Sequence, residues 1–286
     1  MANLRQLRTR VASIKNIERV THAMQLVAAA RMRKAQDSIL AARPYAERLE
    51  SVLKKLSSGI EQGQHPLLSE RPVASVALAV VTADRGLCGG FNTNICRLVA
   101  SEMQKLSDYR VELVAVGRKG RDYFRNRGHE FASEHTDVFR ILEFSRAAQI
   151  AGELTNRFLT GEVDQVLLAY SEFRSVAQQA PIVRQLLPTG ADEESAGQGG
   201  SYIFEPEPER LLDALVPRHV NFQVWRALLE SNAGEQASRM TAMDNASKNA
   251  GELIDQLTQE MNKERQSAIT LELMDIVGGA EAVAQG

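Results

Sequence analysis

Thr82–Asn92 reads TADRGLCGGFN, and of all stretches in this 286-residue sequence it looks most like a site for chemistry. Gly86, Gly89 and Gly90 lie between an apolar run, SVALAVV, and a helix-like run, NICRLVASEMQKL. Glycine-rich loops in this setting cradle phosphate on backbone N–H groups at a helix start. The spacing argues against that use. A dinucleotide loop needs G-x-G-x-x-G, and a Walker loop needs G-x-x-x-x-G-K-[ST]. Here the order is Gly86-x-x-Gly89-Gly90, with neither Lys nor Ser/Thr where phosphate requires it. Gly89 and Gly90 suit a tight strand-to-helix turn, and an anion at the start of the following helix stays open as an alternative.

Other candidate constellations are weaker. HEFASEH, His129 to His135, suggests a zinc motif, but H-E-x-x-H places its histidines one helical turn apart and these are six residues apart. His22, His65 and His219 have no companions at ligand spacing. Asp84 beside Arg85 reads as a cap or an ion pair. No Ser-His-Asp or Cys-His arrangement is present to argue from, and no metal or cofactor site is expected. Arg5, Arg8, Arg10, Lys15, Arg19, Arg31, Arg33 and Lys34 form a basic series. No aromatics are interleaved with it, so a solvated or protein-facing surface is favoured over nucleic acid.

The elements that must position these residues are unusual. Leu4, Leu7, Val11 and Ile14 follow a 3-4-3 spacing, which then slips to Ile17, Val20, Met24 and Val27 and resumes at Ala46, Leu49, Leu53, Leu56 and Ile60. That is a coiled-coil stripe with a phase shift. It predicts a helix over about residues 3–58, kinked or restarted at Pro44. From Arg218 to about Val277 a second stripe runs through Val220, Val224, Leu228, Ala237, Met240, Ala250, Ile254, Leu257, Met261, Ala268 and Leu271. Pro217 is expected to kink or restart the chain after ERLLDALV, and Gly278 and Gly279 to end the helix. Two long terminal helices predict an antiparallel coiled coil. Its seam is rich in alanine, hence thin and only modestly stable per turn.

Between the helices, strands alternate with helices. SVALAVVTAD, VELVAVG, VDQVLLAYSEF and APIVRQLLP are strand candidates, with helices over Asn92–Leu106 and about Ser145–Thr160. This pattern predicts an open, mainly parallel, Rossmann-like α/β sheet. TGADEESAGQGGS reads as a mobile loop. The expected division is a helix over 1–60, an α/β domain over 73–205 and a second helix over 206–286.

Bulk properties agree with a folded helical chain: 24% charged, 44% hydrophobic, only 5% aromatic. Charge is uneven. Residues 1–58 hold 12 Lys/Arg against 4 Asp/Glu, and residues 205–286 hold 7 against 14. The two cysteines, Cys88 and Cys96, are too few for a disulfide framework and suggest a reducing compartment. No run of about 18 apolar residues exists to span a membrane. The acid-poor start is similar to a transit peptide, but its apolar pattern continues unbroken, so it reads as mature helix.

Two classes remain from the residues alone. One is an interaction protein, a coiled-coil shaft carrying an α/β module. The other is an α/β enzyme or nucleotide-binding protein with a helical extension. The lack of a complete catalytic constellation favours the first.

VTHAMQLVAAARMRKAQ, TADRGLCGGFNTNI, ALLESNAGEQASRMTAMDNASKNA and NKERQSAITLELMDIVGGAEAV resemble the γ subunit family of F-type ATP synthases, the bacterial form by length. The resemblance covers essentially the whole chain, and the regulatory cysteine insertion of the chloroplast form is absent. It implies a non-catalytic rotor shaft, one copy per complex, at the cytoplasmic face of the bacterial inner membrane. Its partners would be the α and β subunits of the catalytic hexamer, the ε subunit and the proton-driven ring of c subunits. Carried over by position, Met24, the loop around Cys88, Arg265, Gln266 and Thr270 would meet β. Tyr202, Phe204 and Glu205 would meet ε and the c ring, with Phe204 replacing a frequent tyrosine. If Met24 lies level with Gln266, paired residue numbers sum to about 290. Ala42 and Ala46 then face the Met243–Ala250 region, and cysteines at 24 and 266 cross-link.

Overall fold

The computed structural model describes residues 2–57, 65–189 and 208–284. A 56-residue helix, α1 (Ala2–Ser57), opens the chain. Then come β1 (Ser75–Val81), α2 (Phe91–Lys105), β2 (Arg110–Val116), α3 (Arg118–Arg125) and β3 (Phe131–His135). They are followed by α4 (Phe144–Leu159), β4 (Gln165–Phe173), β5 (Gln179–Leu187) and the 77-residue α5 (Pro208–Ala284). Among the described residues no helix is long and apolar enough to cross a membrane.

The sheet has the order β3-β2-β1-β4-β5. β3, β2, β1 and β4 are parallel, and β5 joins β4 antiparallel. Alternate residues of β1 feed opposite faces, as the pleat requires. Ala77, Ala79 and Val81 pack with Ile150, Leu154 and Phe158 of α4 and with Val216, Val220 and Val224 of α5. Leu78 and Val80 pack with Phe91, Ile95 and Val99 of α2 and with Phe124 of α3. Every residue from Val76 to Val81 is at most 1% exposed, the pattern of a strand covered on both sides. The α/β expectation holds, with long helices at both ends of the chain. The stretch left ambiguous between the second strand and Ser145 contains β3, whose FASEH alternates half-buried and exposed at the sheet edge.

The chain divides into two compact units, Ala28–Arg239 and Met1–Val27 with Met240–Gly286. Within the latter, Gln25 Nε2 donates to Asp244 Oδ1 at 3.0 Å. A Cβ on Gly251 would sit 3.5 Å from Glu18 Oε1. Both pairs add to 269, so the helices are antiparallel, but Met24 lies near position 245 and Gln266 near position 3. The 290 register is therefore wrong by about 21 residues. Leu7 and Val11 pack with Ile254 and Leu257 in the same alignment. Within Ala28–Arg239, Tyr45 stacks on Phe222 with centroids 5.3 Å apart, so the stretch around Ala46 faces Phe222 rather than Met243–Ala250.

The phase shift in α1 is also overturned. Leu7, Val11, Thr21, Ala28, Met32 and Ala35 are buried and keep one heptad phase throughout. Ile17, Val20 and Val27 point outward, 50%, 58% and 53% exposed. Hydrophobicity marked the wrong stripe because the true seam there is made of small and polar residues.

Pro44 and Pro217 both lie inside continuous helix. Each removes one N–H, which frees the carbonyl four residues earlier. Those residues, Leu40 and Asp213, are exposed, so water can satisfy the freed oxygens. Gly278 and Gly279 do not end α5, which continues to Ala284.

Candidate functional site

The loop after β1 is closed by Asn92. Its Oδ1 accepts from Ala83 N at 2.9 Å, and its Nδ2 donates to the Cys88 sulfur at 3.2 Å and to Arg85 O at 3.5 Å. Phe91 N donates to Cys88 O at 3.2 Å, so the glycines make a compact turn into α2. Cys88 itself is turned inward, 2% exposed, and burial raises its thiol above the ordinary range. Leu87 is the residue held outward. It is 66% exposed and carries φ 63°, a left-handed conformation that costs a bulky residue about 1–3 kcal/mol.

Asp84 anchors the other side of the loop. Its Oδ1 accepts from Arg118 N at 3.1 Å and Asp137 N at 2.9 Å, tying the ends of β1, β2 and β3. Behind it Thr82 Oγ1 accepts from Gly120 N at 2.8 Å. Asp84 thus works as a cap, as its sequence setting suggests.

In open α/β sheets the ligand crevice lies beyond the carboxyl ends of the strands, at the switch point, here between β1 and β4. That crevice is filled by α5. Ser231 Oγ accepts from Ser171 N at 3.2 Å, and Ser238 Oγ donates to Gln179 Oε1 at 3.0 Å. Gly234 sits so close that a Cβ would lie 3.2 Å from Ser171 Oγ and 3.4 Å from Phe91. Arg239 donates to Gly86 O at 3.0 Å and to Glu235 Oε1 at 2.6 Å. Burial raises the Glu235 carboxyl above its ordinary range, Arg239 opposes that and Asp84 adds to it. The glycine loop therefore offers a carbonyl to a guanidinium from its own chain.

Glu230, 5% exposed, pairs with Arg226 at 2.7 Å. These buried charges on α5 escaped the sequence reading. The signal was present as two i,i+4 pairs, Arg226–Glu230 and Glu235–Arg239, within a run of small residues. The histidines of HEFASEH go separate ways. His135 pairs with Glu153 at 3.0 Å, and His129 stacks edge-on to Phe124 at 5.8 Å. His65 Nδ1 accepts from Leu67 N at 3.1 Å, and burial lowers its pKa against the pull of Asp213.

The remaining candidates separate along the helices. Met24 is half-buried on α1. Arg265, Gln266 and Thr270 are exposed on α5, where Thr270 Oγ1 donates to Gln266 O at 2.9 Å. Position 266 lies level with the first residues of α1, so among the described residues α5 beyond it has no helical partner. Ile269, Leu271, Leu273, Met274, Ile276 and Val277 are all at least 50% exposed there. Tyr202, Phe204 and Glu205 lie outside the described residues.

Comparison with known proteins matches this architecture. Residues 3–283 match the ATP synthase family. The ATP synthase gamma chain of Anaeromyxobacter sp. (strain Fw109-5) is 48% identical, with 99% of this chain and 100% of that protein covered. That of Desulforamulus reducens is 45% identical at the same coverage. Among solved structures, a chain of the Tetrahymena thermophila mitochondrial ATP synthase central stalk and c ring aligns with TM-score 0.63 and 29% identity, over 80% of this chain and 99% of that one. A chain of the Euglena gracilis mitochondrial enzyme aligns with TM-score 0.70 and 20% identity, over 99% and 95%, a likeness of fold. The chain belongs to the ATP synthase γ-chain family, as the central-stalk, or rotor-shaft, subunit of an F-type ATP synthase.

Proposed function

We propose that the chain transmits rotation from a proton-driven c ring to a hexamer of α and β subunits, as a non-catalytic peripheral subunit at the cytoplasmic face of the bacterial inner membrane. The observation that carries this reading is the end of α5. From Gln266 to Ala284 it spans about 28 Å of single helix at 1.5 Å per residue. Large apolar residues lie exposed around it, with no partner among the described residues. A helix apolar on many sides is stable in water only when something surrounds it. A sleeve formed by α and β meets that need, and the outward stripe of Ile17, Val20, Leu26 and Val27 on α1 supports the same reading.

Contacts with β are assigned to Met24, Arg265, Gln266, Thr270 and the loop around Cys88. In that loop Leu87 and its exposed neighbours make the contact, while Cys88 holds the turn from within. Tyr202, Phe204 and Glu205 are assigned to ε and the c ring. The division into 1–60, 73–205 and 206–286 belongs to the same proposal, as shaft, module and shaft.

Reconstitution tests it. The isolated chain is expected neither to hydrolyse ATP nor to bind it tightly, and to restore cooperative hydrolysis when mixed with α and β subunits. Intrinsic turnover by the isolated chain would overturn the rotor-only reading.

A further inference from the structure

The tie between Arg239 and the β1–α2 loop points to a role for that loop that the contact assignments leave open. Arg239 is the last residue of the unit Ala28–Arg239. Its side chain is 11% exposed and that of Glu235 is 7% exposed, so the pair is set within the packed seam of α5. One guanidinium nitrogen is held by Glu235 and another reaches Gly86 O. Gly86 is followed directly by Leu87, which is strained and 66% exposed. A residue held in the left-handed region persists when its surroundings over-determine it. On the far side of Leu87, Asn92 and the buried Cys88 fix the chain. On the near side Asn92 Nδ2 reaches Arg85 O at 3.5 Å, and Arg239 holds the carbonyl of Gly86, the residue next to Leu87, at 3.0 Å. Asp84 from the loop and Arg31 from α1 are the other charges acting on Glu235.

We propose that Arg239 is a positioning residue, which locks the β1–α2 loop to α5 so that Leu87 is presented as a rigid apolar tooth turning with the shaft helix. The loop then does for a protein partner what a phosphate cradle does for a nucleotide: it fixes a few atoms in space. An apolar tooth on a flexible loop would yield when pressed, whereas one tied to α5 transmits displacement in step with it. The tie itself is a property of the chain, and only the tooth's use in catalysis rests on the rotor reading.

The test compares Arg239→Gln, Arg239→Lys and Leu87→Ala with the parent chain. Hydrogen exchange on the isolated chain reads the tie. Losing a hydrogen bond to a charged donor corresponds to about ten- to hundred-fold in an opening equilibrium. The amides of Ala83 and Phe91, which donate to Asn92 Oδ1 and Cys88 O, should exchange faster by about that factor in Arg239→Gln, partly restored in Arg239→Lys, while amides within β1 and in α2 beyond its first turn stay protected. Unchanged loop exchange in Arg239→Gln overturns the proposal. Steady-state hydrolysis by complexes with α and β subunits reads the tooth. Arg239→Gln and Leu87→Ala should each lower kcat with little change in KM, and the double variant should lose no more than the worse single. Losses that multiply in the double variant overturn it, since they place the two residues in separate roles. If the parent chain fails to restore hydrolysis, the rotor reading falls, and the exchange result still decides on the tie.

Discussion

Spin labels on cysteines at selected positions would measure the helix register directly, and the register decides which residues of the two helices share a level. Gln25 opposite Asp244 and Glu18 opposite Gly251 place Met24 opposite position 245. Gln266 is then about 21 residues further along α5, or roughly 30 Å at 1.5 Å rise per residue. The two helices themselves lie about 8–10 Å apart. The pair Met24→Cys with Gln266→Cys should therefore give a distance near 30 Å. Met24→Cys with Ala246→Cys should give a much shorter one, set by the helix separation and the label arms. Cys88 and Cys96 are buried and should not label in the folded chain. A distance below about 15 Å for the 24–266 pair would refute the 269 register, since no tilt of two straight helices closes that gap. The functional consequence is concrete. Residues at Met24 and at Gln266 cannot answer to the same loop of a partner, so a contact with β at each implies two separate levels along the shaft.

Two stability predictions follow from the α/β module. A Cβ on Gly117 would lie 1.9 Å from Thr82 O, with φ at +100°, whereas Gly128 has φ +82° and nothing within 4 Å. In urea titration Gly117→Ala should cost about 4 kcal/mol or more and Gly128→Ala only about 1 kcal/mol, and equal costs would show that the close approach to Thr82 is not real. Asp164 accepts from Ala74 N, Ser75 N and Ser75 Oγ at 2.9–3.0 Å and pairs with Arg71 at 3.0 Å. The Ala74 N–H first, with Ser75 and Arg71, holds its carboxyl below the usual range against the cost of burial. A depressed pKa adds stability that is present above about pH 4 and lost as pH falls through the folded value. Asp164→Asn should therefore lose about 2 kcal/mol at pH 7, with the gap to the parent chain closing toward pH 3. A gap that stays constant with pH would place the effect elsewhere.

Sequence made the architecture legible wherever one signal dominated. β1, β2 and β4 are continuous apolar runs because both faces of the sheet are covered, and α2 and α4 lie between turn signals at their observed places. β3 was hidden because an edge strand with alternating exposure carries too little apolar content to stand out. The helix ends misled for a different reason. Proline and glycine mark boundaries when neighbouring backbone groups are buried, but around Pro44 and Gly278 the helix is open to water, and the local cost is about 1–3 kcal/mol against dozens of remaining helical bonds. The seam failed where hydrophobicity had two claimants. Ile17, Val20 and Val27 are the larger residues, yet Thr21 and Ala28 are the buried ones. A chain that must also present an apolar surface outward cannot be phased by hydrophobicity alone.

The same competition explains the glycine loop. A phosphate cradle and this loop share one geometric demand, a strand led through a glycine-bearing loop into a helix with its backbone open to close approach. Glycines meet that demand whatever approaches. The identity of the partner lies in details outside the loop: no Lys or Ser/Thr for phosphate within it, and far along the chain an arginine preceded at i−4 by a glutamate. The pair could have been found as Glu235–Arg239 spacing within SNAGEQASR, a stretch of α5 rich in Ala, Ser and Gly. Its destination could not, because a contact across 153 residues is fixed by the sheet topology and by the closeness that Gly234 permits. A helix seated between β1 and β4 by Ser231, Gly234, Ser238 and Arg239 cannot rotate about its own axis without displacing the sheet, and that resistance to slip is what a shaft requires of its mounting.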